Sequence, residues 1–303
     1  MSRLQAQVGT LRQLEIILAV HEHQSVTLAA RALFLTQPTV SMQLRKLADA
    51  LGEPLYNQVG RRLVFTPAGE ALVRTAREVH DSFSRLEMKL ADLRGLKAGR
   101  LRLAVVTTSK YLIPHFLGDF TRQYPAIEID LYIGNRDQIM QRMSQALDDF
   151  YVFSHPLGGG DLEIKRFAPN PLVPVVAQDN PLVNAGLVSF ERFCEEPMLI
   201  REPGSGTRFA IDEHFGRLGL TLNVRMTVAS NEAIKQCVMS GLGVAILSRH
   251  SLLHGGAEGL AEIQVEHLPI ECDWYIAHLR ARTLSVVGRT FLDYLDSQVE
   301  YCG

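Results

Sequence analysis

The run Thr36-Gln37-Pro38-Thr39-Val40-Ser41-Met42-Gln43-Leu44-Arg45 places amide, hydroxyl, thioether and guanidinium groups within ten residues. Val40, Leu44, Leu47 and Leu51 fall at i, i+4, i+7 and i+11, one face of a helix. Pro38, Ser41, Met42, Arg45 and Lys46 then occupy the opposite side, with Gln37 and Thr39 flanking its start. Such a set is suited to reading base edges. Gln pairs bidentately with adenine, Arg with guanine, and Thr or Met meets a thymine methyl. Further on, Gly60-Arg61-Arg62 separates two apolar runs, as at the tip of a hairpin. Arg61 and Arg62 there suit phosphate or the minor groove.

A second set of residues suits a small anion. Thr107, Thr108, Ser109 and Lys110 follow the apolar run Leu101–Val106, and Gly204, Ser205, Gly206, Thr207 and Arg208 follow Met198–Arg201. Ser230-Asn231-Glu232 and Gly134-Asn135-Arg136 stand at the same kind of strand-to-helix junction. Hydroxyls, free backbone N–H groups and cations at helix starts favour carboxylate or phosphate.

The elements that position the first set are short helices. Thr10 caps one carrying Leu11, Leu14, Ile17, Leu18 and Val20; Ser25 caps a second over 26–33, whose Ala29, Ala30 and Ala32 allow close approach. Thr36 caps the third, and Pro38 is tolerated in its first turn because its missing N–H has no intrahelical partner. A short helix, a tight turn and an outward-facing second helix make a helix-turn-helix, and the Arg-Arg hairpin makes its wing. Thr66-Pro67 opens a long helix in which Leu72, Ala76, Val79, Phe83, Leu86, Leu90 and Leu93 step alternately by four and three. That heptad pattern predicts an intermolecular stalk and a dimer.

From Leu101 onward expected strands (101–107, 127–133, 150–154, 172–177, 198–201, 224–229, 244–247, 274–279) alternate with expected helices (111–123, 136–147, 205–218, 232–240, 285–297). Alternation of this kind predicts α/β units with mostly parallel sheets. The expected organisation is an N-terminal all-α winged helix-turn-helix domain over 1–66, a dimerisation helix over 67–97, and an α/β effector domain over 98–303. The last has two lobes, about 98–168 with 273–303, and about 169–272.

Residues 1–97 carry thirteen Lys and Arg against nine Asp and Glu, and the remainder eighteen against twenty-four, so a mildly basic front precedes an acidic rear. The four cysteines at 194, 237, 272 and 302 form no CxxC and no metal-ligand spacing, which fits a reducing compartment and implies neither metal nor cofactor. No apolar run reaches the length of a membrane span and no signal-peptide pattern is present, so the expectation is a cytoplasmic protein. An enzyme on the α/β portion lacks support: GxSxG, P-loop, GxGxxG and HExxH are all missing, and the ten histidines are scattered, with His21, His23 and His80 expected to be solvated. Cys237, in a helix near the anion loops, leaves a thiol-based redox sensor as an alternative.

The segment TLAARALFLTQPTVSMQLRKLADALGEPLYNQVGRRLVFTPAGE resembles the winged helix-turn-helix and linker helix of LysR-type transcriptional regulators. The resemblance extends over the whole chain. VTTSKYLIPHFLGDFTRQYPAIEIDL, REPGSGTRFAIDEHF and NEAIKQCVMSGLGVAILS look most like the carbon-fixation regulators, the CbbR/RbcR type. The resemblance implies an effector domain like the periplasmic binding proteins and a homodimer or homotetramer. It also implies binding to an interrupted palindrome in double-stranded DNA near a promoter, a small metabolite effector, and contact with RNA polymerase. Family effector contacts fall by position on Thr107, Thr108, Gly204, Ser205 and Thr207, with Asn135 and Asn231. The usual Ser before Gln-Pro is Thr36 here, and DDFYVFSHP departs from the family's commoner third strand, which bears on Ser154 and His155.

Overall fold

The computed structural model describes residues 10–59, 62–95, 97–155 and 161–299. The chain divides into two compact units, with the boundary after Glu87.

In the first unit α1 (Leu11–His23), α2 (Val26–Ala32) and α3 (Gln37–Leu51) precede a hairpin of β1 (Tyr56–Val59) and β2 (Arg62–Phe65), then α4 (Pro67–Leu93). The caps are those the residue types predict. Ser25 accepts from the Leu28 amide and Thr36 from the Thr39 amide, while Gly52 ends α3 in the left-handed region at φ 72°. Val40, Leu44 and Leu47 are buried against Ile16, Ile17, Ala29 and Ala30. The small alanines let α2 lie close behind α3, as expected. His21 departs from expectation. Its side chain is only 13% exposed, because the end of α1 meets the start of α4: Nε2 lies 3.3 Å from Glu70, Nδ1 lies 3.2 Å from Arg77, and the ring packs on Phe65.

The heptad stripe of α4 is divided. Leu72 and Ala76 join the unit's own core, whereas Phe83, Leu86 and Leu90 are 49%, 51% and 45% exposed and Leu93 is 75% exposed. The intermolecular expectation therefore applies to the later part of the helix alone; the hairpin and α1 claim the first turns.

In the second unit the first sheet has the order β4 (Ile127–Gly134), β3 (Gly99–Val106), β5 (Phe150–Phe153), β14 (Asp273–Leu279), β6 (Leu162–Pro169). The second sheet runs β10 (Val224–Val228), β9 (Met198–Arg201), β11 (Val244–Ser248), β7 (Leu172–Ala177), β12 (Leu260–Glu262). Short β8 (Leu187–Val188) and β13 (Gln264–Val265) pair beside it. The helices are α5 (Ile113–Gln123), α6 (Arg136–Ser144), α7 (Phe190–Cys194), α8 (Gly206–Leu218), α9 (Asn231–Met239), α10 (Arg249–Leu253) and α11 (Val286–Val299).

The two sheets share one pattern. β3 runs parallel to β4 and β5, and β9 parallel to β10 and β11, whereas β14 and β7 run antiparallel to both of their neighbours. The expectation of mostly parallel sheets is corrected on this point. Parallel neighbours are joined through a helix; β7 and β14 instead enter directly from the other lobe. The two crossings lie side by side, with the Asn170 amide donating to Cys272 O at 2.7 Å and Leu172 and Ile270 exchanging bonds of 3.0 and 2.9 Å. Trp274, Phe120, Phe150 and Phe291 fill the first lobe, and β7 is buried along all six residues, as a strand covered on both faces must be.

Replacing Leu86 with Glu on the exposed stripe is expected to lower the assembly's mass in sedimentation without loss of helicity. Replacing Leu44 with Ala, behind α3, is expected to destabilise by about 2–5 kcal/mol in urea unfolding.

Candidate nucleic-acid interface and effector cleft

The front of α3 is built from residues its buried back leaves free. Gln37, Pro38, Met42 and Arg45 are exposed and Thr39 and Ser41 half-buried. Gln37 Nε2 donates to Ser41 Oγ at 3.0 Å, and the Thr36 and Thr39 hydroxyls share a 2.8 Å bond, so the first turn presents an ordered polar surface. Gln13 Nε2 donates to Gln43 Oε1 at 2.8 Å and ties α1 to the side of α3. Arg61 lies outside the described residues. Arg62 opens β2 opposite Val59, and its side chain is likewise outside the description.

In the second unit the anion-suited loops meet between the lobes. Gly206, in the first turn of α8, lies so near the end of β5 that a Cβ there would stand 2.8 Å from Ser154 Oγ. Glu202-Pro203-Gly204-Ser205 is a tight turn closed by the Ser205 amide on Glu202 O at 3.2 Å. Gly204 takes φ 85°, which the third position of a type II turn requires. Its carbonyl accepts from the Asp137 amide across the cleft at 3.3 Å. Beside it Arg136 lies over the Phe209 ring at 4.8 Å.

Thr108, Ser205, Thr207 and Asn231 are all buried. Ser205 occupies the cap position of α8 without spending its hydroxyl on the cap. Asn231 accepts from Arg201 at 2.7 Å through Oδ1, and its Nδ2, near the Tyr111 hydroxyl, is buried without a well-formed hydrogen bond. Arg201, itself 2% exposed, is neutralised by a two-bond pair with Glu202 at 2.7 and 2.9 Å. The Arg136 Nε is a second buried donor without a partner. Arg201 was not foreseen; the one signal for it is a cation ending the apolar run Met-Leu-Ile before a Pro-Gly turn. Two expected contacts are otherwise engaged. Thr107 gives its proton to Gly134 O at 2.9 Å, and Asn135 caps α6 by accepting from the Gln138 amide at 3.0 Å. This arrangement can hold an anion by neutral donors, two helix starts and the Arg136 guanidinium, with the buried Arg201 already paired.

Residues 94–300 match the family model described as LysR substrate binding domain, and residues 11–70 the one described as bacterial regulatory helix-turn-helix protein, lysR family. The chain belongs to the LysR family. It is 47% identical over 288 residues to the HTH-type transcriptional activator CmpR of Synechocystis, covering 95% of each chain. It is 38% identical to the RuBisCO operon transcriptional regulator of Acidithiobacillus ferrooxidans, covering 95% of this chain and 93% of that one. The solved Synechocystis CcmR regulatory domain in complex with 2-PG shares 42% identity at a TM-score of 0.63, over 66% of this chain and 97% of that one. Full-length CbnR complexed with its target DNA matches at TM-score 0.71 over 97% of this chain and 100% of that one; at 18% identity it speaks for the fold.

These relatives make the chain a LysR-family transcription regulator of the carbon-fixation branch and not an enzyme. The thiol alternative gains no support from the site. Burial pushes the Cys194 and Cys272 thiols up to about 11 and about 12, leaving them protonated and poorly nucleophilic. Cys237 packs half-buried beside Ile234 and Val238, and Cys302 lies outside the described residues. Among the described residues no cluster of His, Cys, Asp and Glu is placed to hold a metal ion, and no helix is long and apolar enough to cross a membrane.

Opposite the Asp137–Gly204 contact, Lys110 Nζ donates to Glu232 at 2.9 Å and the Tyr111 hydroxyl donates to the same carboxylate, again linking the lobes. Burial alone raises the Glu232 carboxyl. The Tyr111 and Lys110 hydrogen bonds outweigh it and hold the group at about 2, below its ordinary 4.5. Burial, reinforced by Glu232, lifts the Tyr111 phenol well above its ordinary 10.0. A depressed carboxyl stabilises the native state above its ordinary value and loses that effect as pH falls to its folded value. The urea midpoint of wild type is therefore expected to exceed that of Glu232→Gln above about pH 5, and the gap to close as pH falls from about 4.5 towards about 2.

Proposed function

We propose that this LysR-family regulator reads DNA with the front of α3 and is controlled by a small anion held between its lobes, with 2-PG as the first candidate. The observation that carries the cleft assignment is the buried, unpartnered Nδ2 of Asn231 in the first turn of α9, whose Oδ1 holds Arg201; Thr108, Ser205 and Thr207 are buried too, the last two at the start of α8. A buried amide donor is costly to leave unmade, and an acceptor seated there removes that cost. The likeness to the CcmR regulatory domain solved in complex with 2-PG supports 2-PG as the ligand to try first. On the DNA side Gln37, Met42 and Arg45 form the base-reading group, with Thr36, Pro38, Thr39 and Ser41 around them. Arg61 and Arg62 serve the wing and contact the backbone. Dimers, or dimers of dimers, joined along Phe83, Leu86 and Leu90 would set the spacing of two half-sites. RNA polymerase is the downstream partner, and the cytoplasm, where the chromosome lies, is the place of action.

Calorimetric titration of the full chain with 2-PG is expected to show saturable binding. Ser205→Ala should weaken it about ten- to a hundredfold, the range for losing a hydrogen bond to a charged group. Asn231→Asp, nearly the same shape but anionic, should abolish it. Both variants should keep wild-type operator affinity, and undiminished 2-PG binding in both would place the ligand elsewhere. Arg45→Ala should cost about 1–3 kcal/mol of discrimination at one base pair, checked by binding to operators substituted position by position; an unchanged profile would refute the α3 assignment.

A further inference from the structure

Phe34 stands in the turn between α2 and α3, 96% exposed, with its backbone at φ 55°. The conformation is well tied. The Phe34 amide donates to Arg31 O at 3.1 Å, the Leu35 amide to Ala30 O at 2.8 Å, and Arg12 reaches Leu33 O at 3.0 Å. Both properties of the residue oppose folding. A bulky side chain in the left-handed region is strained, and an aromatic ring left in water forfeits its burial. Gly or Asn makes the same turn at less cost. Nothing the ring does for the first unit offsets this, since it is absent from that unit's core.

Its position says what the ring is for. Phe34 lies two residues before the Thr36 cap of α3, at the end of the helix that a helix-turn-helix points into the major groove. From His23 to Ala48 the sequence has no Asp or Glu, while Arg31, Arg45 and Lys46 fall within it. A polyanion therefore meets no like charge along this stretch.

We propose that Phe34 is a DNA contact, its ring laid on the apolar surface of a nucleotide beside the groove that α3 enters. That surface is a thymine methyl or a deoxyribose, the apolar parts of a duplex that a phenyl ring can cover. The inference rests on α3 being the reading helix and adds a contact made without charge. Strain and exposure in the free protein are retained because the ring is covered only in the complex.

The test uses the full-length protein, a dyad-containing promoter fragment that it binds, and a salt series. Phe34→Asn should weaken operator binding about tenfold, the scale of burying most of a phenyl ring. The slope of log affinity against log salt should not change, since no phosphate contact is lost. The thermal midpoint should not fall, because Asn suits the turn, and Phe34→Tyr, which keeps the ring, should bind like wild type. Replacing operator thymines by uracil separates the two surfaces. A loss seen for wild type but not for Phe34→Asn assigns the methyl, and equal behaviour assigns the sugar.

Arg45→Ala run in parallel keeps the readings apart. If it weakens specific binding while Phe34→Asn does not, the Phe34 contact is refuted and α3 stands. If neither variant changes binding, α3 itself is misassigned. Unchanged operator affinity with lost transcriptional activation would give the ring to a protein partner and overturn the proposal, as would an affinity loss that merely tracks a lowered thermal midpoint.

Discussion

Burial of Val40, Leu44 and Leu47 against α1 and α2 is the constraint on which DNA reading depends. Each such side chain contributes about 1.5–3 kcal/mol by leaving water. Rotating α3 by one residue would expose that stripe and drive Met42 and Arg45 towards the core, so the helix has one stable orientation. Its polar front is thus set by what lies behind it. Ala29 and Ala30 allow α2 to approach closely, and Gly52 stops the helix before the hairpin. No special feature of Gln37 or Arg45 is needed to aim them; the apolar period does it.

The cleft follows from a different constraint, that the chain crosses between lobes twice. Because β7 and β14 come in directly from the opposite lobe, each sheet keeps only three strands joined through helices, and the ends of those strands turn towards the crossing. Ser205 and Asn231 from the second sheet are thereby brought opposite Ser154 and Lys110 from the first, as the Gly206–Ser154 approach and the Lys110–Glu232 pair record. Side-by-side crossings at Asn170 and Cys272 form a short hinge, with Asn170 further held by Ser248 at 2.6 Å.

Much of this was legible in the residues, for reasons that differ by element. The helices of the first unit declared themselves through caps and period, because each is set by local chemistry and one buried stripe. The apolar runs Leu172–Ala177 and Met198–Arg201 gave their strands to the residue, since strands covered on both faces have no alternation to blur. β6, reading Leu-Glu-Ile-Lys-Arg-Phe-Ala-Pro, was missed: it is an edge strand, half of it exposed, held by its register with β14 from more than a hundred residues away. Directions of β7 and β14 were missed too, because strand polarity is a property of the crossing and leaves no mark on composition. In the cleft, hydroxyls at helix starts were visible, but their use was not. Thr107 is spent on Gly134 of the neighbouring strand, which no local pattern marks, whereas Asn135 is spent on a capping box with Gln138 that the sequence does carry.

The two candidate sites would meet anions by different means. Arg45 and Lys46 stand exposed on the front of α3, where their charge would draw a polyanion and the attraction would weaken with salt. In the cleft Arg201 is fully committed to Glu202 and Asn231, so an anion there would rest on dipoles and on the partly buried Arg136, interactions that salt screens less than those of exposed charges. Glu232 sharpens the consequence. Its carboxylate follows Asn231 directly and would repel such an anion, except that Lys110 and Tyr111 from the other lobe neutralise it. That neutralisation exists only while the lobes are together. If an anion binds at Asn231, it and the approach of the two lobes would favour each other through one electrostatic interaction, which is the differential affinity that a ligand needs in order to shift a conformational equilibrium.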